Sequence, residues 1–218
     1  MTEPAAIVLA GGEGRRMGGP KALLIVDGKP LIAAHVERLR EIGCRPILVV
    51  ARAAIAADVR VVLAGVSEAL IIEADTESMA ASLSLALGHL APDPARIIVI
   101  SPVDTLPVAR STLQALLAAM TDSGVQVATP HHGRQGGHPV VVRDALMQPM
   151  RRGYVGTLRD LVRSADAQRQ RLEIDDAALG AEFDTPAELS ALRPGTLPSF
   201  AFQPNGSAPR SRLFETGE

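Results

Sequence analysis

A run of six apolar residues, Ala5-Ala6-Ile7-Val8-Leu9-Ala10, passes directly into Gly11-Gly12-Glu13-Gly14-Arg15-Arg16-Met17-Gly18-Gly19-Pro20-Lys21. The run shows no polar alternation, which is the pattern of a strand covered on both faces. Five glycines between positions 11 and 19 leave the backbone N–H groups of the loop open to close approach by an anion. Arg15, Arg16 and Lys21 add three cationic side chains. A buried strand that ends in such a loop is suited to holding a polyphosphate.

Two phosphate-binding patterns can be tested against these residues, and neither fits. In a P-loop, Gly14 and Gly19 have the required gap, but Pro20 stands where the lysine belongs and Ala22 follows Lys21. Proline also removes an N–H that such a loop uses. In a dinucleotide fingerprint, Gly12 and Gly14 begin the motif, but Met17 occupies the third glycine position.

The remaining chain alternates between apolar runs and helical periodicity. Leu31, Ile32, His35, Val36, Leu39 and Ile42 recur at helical spacing after Pro30, read as the first residue of the helix, and Gly43 ends it. Pro46–Val50 reads as a strand, and Val59–Leu63 and Leu70–Ile72 are two further strand candidates after a short helix over Ala53–Asp58. Glu77–Leu90 is expected to be a helix with Met79, Leu83, Leu85 and Leu87 inward. Arg96–Ile100 is the strongest strand, Ser111–Met120 a helix and Val125–Ala128 another strand. The rhythm is that of an α/β fold with a largely parallel sheet.

From Pro130 the rhythm changes to a polar flap, His131–Gly137, and a returning strand, His138–Val142. Helices are expected over Asp144–Met150, Thr157–Ala165 and Pro186–Leu192, with short strand candidates at Leu172–Ile174 and Ala181–Phe183. From Arg193 onward Pro, Gly, Ser and Arg dominate, so the expectation is a domain over 1–192 and a flexible tail over 193–218.

Hydrophobic residues make up 47% of the 218, enough for a sizeable core, and that core must be aliphatic because there is no Trp, one Tyr and four Phe. A net charge of −2 gives no basic excess for nucleic acid. The single Cys44 excludes an intramolecular disulfide. No leader-like or membrane-length apolar run is present, so the expectation is a soluble cytoplasmic chain without a membrane partner.

Asp104 is the second chemical feature. It follows the strongest strand, at the sheet end where ligands bind in open α/β folds. By itself such an aspartate suits a turn or a helix cap as well as a metal. His131, His132 and His138 lack a Cys partner and the i, i+4 spacing of a helical zinc pair.

The Leu9–Lys21 stretch resembles the L-A-G-G-x-G-x-R-M-G-x-x-K signature of the MobA-like nucleotidyltransferases, with Arg16, Met17, Gly18 and Lys21 all in place. Pro102-Val103-Asp104, with Pro107 one residue late, resembles the family's P-x-D-x-P loop. Phe183–Leu189 is similar to its D-T-P-E-D-L segment and Gly137-His138-Pro139-Val140 to the G-H-P-V segment of the molybdenum cofactor cytidylyltransferase branch. The similarity runs over about residues 5 to 192.

The resemblance implies a Rossmann-like three-layer α/β/α sandwich with a mostly parallel central sheet and a small acceptor-side flap. It implies transfer of a nucleotide from CTP or GTP to a phosphorylated acceptor, with molybdopterin as a candidate, and release of pyrophosphate. Leu9, Ala10, Gly11, Gly12, Gly14, Arg16, Lys21, Ser82 and Asp104 would bind the nucleotide, with Arg16, Lys21 and Asp104 catalytic. Mg²⁺ would sit on Asp104 and Asp184, and His138 would contact the acceptor. Asp184 is also read as the cap of the helix that Pro186 begins.

Gly11-Gly12 is commoner in guanylyltransferases, whereas Gly137-His138-Pro139 and Asp184-Thr185-Pro186 favour the cytidylyl branch. A departure from the family pattern comes at Gly153-Tyr154-Val155-Gly156-Thr157, where Tyr154 stands in place of the usual aspartate. A sugar- or polyol-phosphate acceptor therefore stays open, as does a non-catalytic nucleotide-binding protein that delivers a cofactor to an acceptor enzyme through the tail.

Overall fold

The computed structural model describes residues 3–154 and 156–202. Its frame is an eight-stranded sheet made of β1 (Ala5–Ala10), β4 (Ile47–Ala51), β5 (Ala69–Glu73), β6 (Ile97–Pro102), β7 (Val127–His132), β8 (Gln135–Gly136), β9 (Val140–Arg143) and β10 (Arg169–Glu173). The order is β10-β7-β9-β6-β1-β4-β5, with β8 paired to β7. β1 runs parallel to both β4 and β6, β4 to β5 and β10 to β7, whereas β9 lies antiparallel between β6 and β7. A two-residue pair, β2 (Ile25–Val26) with β3 (Lys29–Pro30), stands apart.

Alternation along β1 builds the two outer layers. Ala6, Val8 and Ala10 join one buried cluster with residues of α1 (Leu31–Glu41), α2 (Ala53–Val62), α4 (Arg110–Ala119) and α7 (Pro186–Leu192). Ala5, Ile7 and Leu9 join the other, with α3 (Met79–Gly88), α5 (Gln148–Arg151) and α6 (Leu158–Ser164). The six residues of β1 are all buried, as expected for a strand with a helical layer on each face. The result is the expected three-layer α/β/α sandwich with a mostly parallel sheet.

Several local expectations change. Val59–Val62 continues α2 rather than forming a strand, because Ile55, Ala56 and Val59 make an i, i+1, i+4 buried stripe. Pro30 caps α1 from outside, since its backbone is extended (φ −57°, ψ 136°) and still pairs with Ile25. In α3 the inward residues are Ser82, Leu83, Ala86 and Leu87, while Met79 and Leu85 are exposed. Ala181–Phe183 supplies one isolated bridge, Thr105 to Glu182, instead of a strand.

The first part of the expected tail returns to the domain. The Ile25 N–H donates to the Ser199 carbonyl (2.8 Å) and the Ala201 N–H to the Leu23 carbonyl (2.9 Å). Phe200 and Phe202 pack against the α1-side core, and the Phe200 ring lies 2.9 Å from where a Cβ on Gly19 would stand. Residues 203–218 of that tail lie outside the described residues.

Ending the chain at Leu192 removes both half-buried rings. It is expected to lower stability by about 2 kcal/mol and Tm by roughly 5 °C. A thermal melt of the shortened protein checks this, and an unchanged midpoint would mean that the returning segment contributes nothing.

Candidate active site

β1 and β6 lie side by side with Leu9 opposite Pro102, and the loops that follow them leave the same edge of the sheet. The Val103 N–H donates to the Leu9 carbonyl (3.1 Å), so the two loops start joined. β4 and β5 extend the sheet on one side of β1 while β6 takes the other, which makes the carboxyl end of β1 a switch point where ligands bind. A cleft of about 420 Å³ opens there, lined by Gly11, Gly12, Gly14, Arg16, Lys21 and Asp104 among others.

The glycine-rich loop is folded to leave its donors free. Gly14 sits at φ 62°, and its carbonyl accepts from the N–H groups of Met17 (2.8 Å) and Gly19 (3.2 Å). A Cβ on Gly14 would stand 1.9 Å from the Gly19 carbonyl oxygen, so only glycine allows this closure. The N–H groups of Gly11, Gly12, Glu13 and Gly14 find no acceptor among the described residues. Three of these residues, Gly11, Gly12 and Gly14, line the cleft, where N–H groups without an acceptor among the described residues suit an anion.

Gly14→Ala is expected to destabilise the loop and to weaken triphosphate binding at least tenfold, since both the positive φ and the contact oppose it; isothermal titration with CTP and GTP checks this.

The cations of the loop meet one carboxylate. Lys21 Nζ lies 2.6 Å from Asp184 Oδ1 and Arg16 Nη2 lies 2.5 Å from Asp184 Oδ2. Lys21 is buried, at 8% exposure, and its ammonium sits 5.4 Å from the centroid of the Phe183 ring. The hydrogen bond from Lys21, reinforced by the Arg16 charge, holds the Asp184 carboxyl below the usual carboxylate range. Arg16 is largely exposed on the cleft wall.

Asp184 is not the cap that the sequence suggested. Thr185 caps α7, accepting from the Glu188 N–H (3.3 Å), and the Glu188 carboxylate accepts from the N–H groups of Asp184 (2.6 Å) and Thr185 (2.9 Å). This reciprocal cap releases the Asp184 side chain for the cleft.

Asp104 stands half-buried in the turn after β6, and its carboxylate has no hydrogen-bond partner among the described residues. Beneath the turn lies His35, buried at 4% exposure, with Nε2 2.9 Å from the Thr105 carbonyl oxygen and Nδ1 3.2 Å from Ser101 Oγ. Burial pushes the His35 imidazole down to about 4, so it is neutral near pH 7.

The opposite wall comes from the start of α3. Ser78 caps this helix, accepting from the Ala81 N–H (3.1 Å), and Ser82 Oγ is joined to Thr76 Oγ1. A Cβ on Gly11 would stand 3.9 Å from Ser82 Oγ, so the loop and the helix face each other across the cleft. Arg52 ties the two walls together, pairing with Glu13 of the loop and Asp75 of the segment before α3. Arg15, the third cation of the loop, is largely exposed and pairs with Glu13.

Of the residues singled out from the sequence, Leu9, Gly11, Gly12, Gly14, Arg16, Lys21, Ser82, Asp104 and Asp184 line the cleft. Ala10 is 1% exposed and packs into the α1-side core instead, since alternation along β1 turns it away. His138 does not line the cleft; it is half-buried, its buried Nδ1 has no partner among the described residues, and burial pushes its imidazole down. His35, Arg52 and Thr76 were not legible as site residues, because a histidine in an aliphatic helical stripe and an arginine at a helix start read as ordinary core and surface.

The donor set suits a small hard cation. Mg²⁺ takes one or two carboxylates and completes its shell with phosphate oxygens and water, and the cleft offers the open Asp104 carboxylate and, beside two cations, Asp184. No group of three or more His, Cys, Asp or Glu able to hold a metal gathers among the described residues, so an all-protein cage is not what the chain provides.

Residues 6–171 match the MobA-like NTP transferase domain. The chain is 28% identical over 172 residues, 78% of its length, to bifunctional protein GlmU of Cellvibrio japonicus, and spans 36% of that protein. Over 49 residues, 22% of the chain and 24% of the relative, it is 51% identical to a protein named Probable molybdenum cofactor guanylyltransferase from Opitutus terrae. Among solved structures, Rv0371c of Mycobacterium tuberculosis H37Rv superposes with a TM-score of 0.73 at 23% identity, covering 88% of this chain and 97% of that one. The chain thus spans about a third of the length of its GlmU relative and nearly all of its structural neighbour. With the family match over three quarters of its residues, this chain belongs to the MobA-like NTP transferase domain family.

Proposed function

We propose that the protein transfers a nucleoside monophosphate from a nucleoside triphosphate to a phosphorylated small-molecule acceptor, releasing pyrophosphate. One observation carries this reading. Gly11, Gly12 and Gly14, whose N–H groups find no acceptor among the described residues, the Lys21 and Arg16 cations and the Asp104 carboxylate share a single cleft at the carboxyl end of β1 and β6. Donors and cations suit a triphosphate, and the lone carboxylate suits the metal ion that accompanies one.

The loop amides and Arg16 receive the β- and γ-phosphates, with Arg16 leaving Asp184 as the competing anion arrives. Lys21, held by Asp184 and the Phe183 ring, stays directed at the α-phosphate, where negative charge develops. Asp104 and Asp184 would hold Mg²⁺, which when bound neutralises phosphate charge and eases departure of pyrophosphate. The acceptor phosphate is ionised at neutral pH, so a general base is not required and the task of the chain is positioning. The base of the nucleotide lies between Gly11-Gly12 and the Thr76–Ser82 wall.

The acceptor class is the finer question. Gly137-His138-Pro139 and Asp184-Thr185-Pro186 favour the molybdenum cofactor branch, as does the short stretch shared with the Opitutus terrae protein. Similarity to GlmU over most of the chain, together with Tyr154 in place of the family's usual aspartate, favours a sugar- or polyol-phosphate acceptor at least as strongly. Pyrophosphate release measured with each nucleoside triphosphate, Mg²⁺ and a panel of phosphorylated acceptors tests the reading. Acceptor-dependent release with CTP or GTP is the expected result; nucleotide binding with no release under any pairing would leave the delivery role in its place.

A further inference from the structure

We propose that His35 is the positioning residue that fixes Asp104 at the cleft. The imidazole reaches from α1 to both ends of the stretch Ser101–Thr105 that carries Asp104, meeting the Ser101 hydroxyl at the end of β6 and the Thr105 carbonyl after the turn. The Thr105 carbonyl can only accept, so Nε2 carries the proton; Nδ1 then accepts from Ser101 Oγ–H. One neutral tautomer satisfies both contacts. Ser101 and Thr105 are themselves buried, at 6% and 5% exposure, so neither group has water as an alternative partner.

Other contacts anchor the backbone: the Val103 N–H donates to the Leu9 carbonyl (3.1 Å) and Thr105 bridges Glu182, but the His35 imidazole is the side chain that joins Ser101 to Thr105. The Thr105 hydroxyl reaches the Pro102 carbonyl at a long 3.4 Å, and the Leu106 N–H meets the Ala181 carbonyl at 3.4 Å. Asp104 itself makes no hydrogen bond among the described residues. Its direction therefore follows the backbone, and His35 closes that backbone across Ser101 and Thr105. A carboxylate that binds a metal needs such outer support, and losing it typically weakens metal affinity by about 10- to 100-fold. This use of the clamp rests on the proposed role of Asp104.

The test compares wild type, His35→Leu, His35→Gln and Asp104→Asn by two readouts. The first is hydrogen–deuterium exchange over residues 101–106 without metal or nucleotide. The second is Mn²⁺ affinity, by electron paramagnetic resonance, in the presence of a non-hydrolysable CTP or GTP analogue. His35→Leu keeps the bulk but loses both hydrogen bonds; its exchange should quicken chiefly in this turn, and its Mn²⁺ affinity should fall about tenfold or more. His35→Gln restores a donor to the Thr105 carbonyl and should recover most of both. Unchanged exchange in the turn, or a Mn²⁺ affinity in His35→Leu equal to that of wild type while Asp104→Asn lowers it, would overturn the positioning role. Wild-type Mn²⁺ affinity in Asp104→Asn would instead overturn the metal reading, and the exchange result still decides whether His35 orders the turn.

Discussion

Replacing Asp104 by Asn is expected to lower nucleotidyl transfer by about 10³-fold or more while leaving Tm within a few degrees of wild type. The two halves of that expectation come from the same geometry. Asp104 is half-buried and makes no hydrogen bond among the described residues, so an amide of the same shape disturbs no internal contact. What it loses is a full negative charge facing a cleft built to hold phosphates. Steady-state pyrophosphate release and a thermal melt check the two halves together. Near-normal turnover in the variant would remove Asp104 from the proposed chemistry.

The second large effect concerns Lys21. Lys21→Ala should reduce turnover by about 10²- to 10³-fold and change the KM for the triphosphate much less. The reason is where the ammonium sits. It is buried, tied to Asp184 at 2.6 Å and seated by the Phe183 ring, so it cannot follow a phosphate outward as the exposed Arg16 can. A fixed charge contributes most where charge grows during reaction, and a mobile one contributes to binding. Lys21→Met keeps the stem and its packing, so an equal loss in that variant assigns the effect to the charge. A rise in KM with unchanged kcat would place Lys21 in ground-state binding only.

The parts of this site that could be read from the sequence are those in which residue type itself carries the chemistry. Glycines at 11, 12 and 14 followed by Arg16 and Lys21 describe an anion cradle before any coordinate is known, and an aspartate after a buried strand marks a candidate ligand. Pro186–Leu192 was also legible to the residue, because proline fixes a first turn. The cap of that helix was misplaced by one position. Asp184 and Thr185 both suit capping, and only the Glu188 carboxylate, reaching back to two N–H groups, decides for Thr185. That displacement matters, since it is what leaves Asp184 to pair with Lys21 and Arg16.

Other features depended on contacts distant in sequence. His35 sits in a helical stripe with Leu31, Ile32, Val36 and Leu39, where periodicity assigns it to the core. Its partners are about 70 residues away, so no local pattern announces them. The return of Ser199–Phe202 to Leu23–Ile25 is hidden in the same way, because Pro, Gly and Ser around it signal a loose end while two phenylalanines supply the packing. Val59–Leu63 differs for the opposite reason. A short, mostly apolar run suits a strand locally, and burial of one helical face through Val59 overrides that preference.

The central claim is that this cleft moves the α-phosphoryl of a triphosphate, with its nucleoside, onto an acceptor phosphate. Its most direct test is a label-transfer measurement with CTP or GTP carrying ³²P at the α-position or at the γ-position, with Mg²⁺ and each phosphorylated acceptor. The account predicts that the α-label appears in the acceptor product and the γ-label only in pyrophosphate, and that both fluxes vanish in Asp104→Asn. Transfer of the γ-label to the acceptor, or acceptor-independent release of labelled nucleoside monophosphate at the same rate, would contradict it.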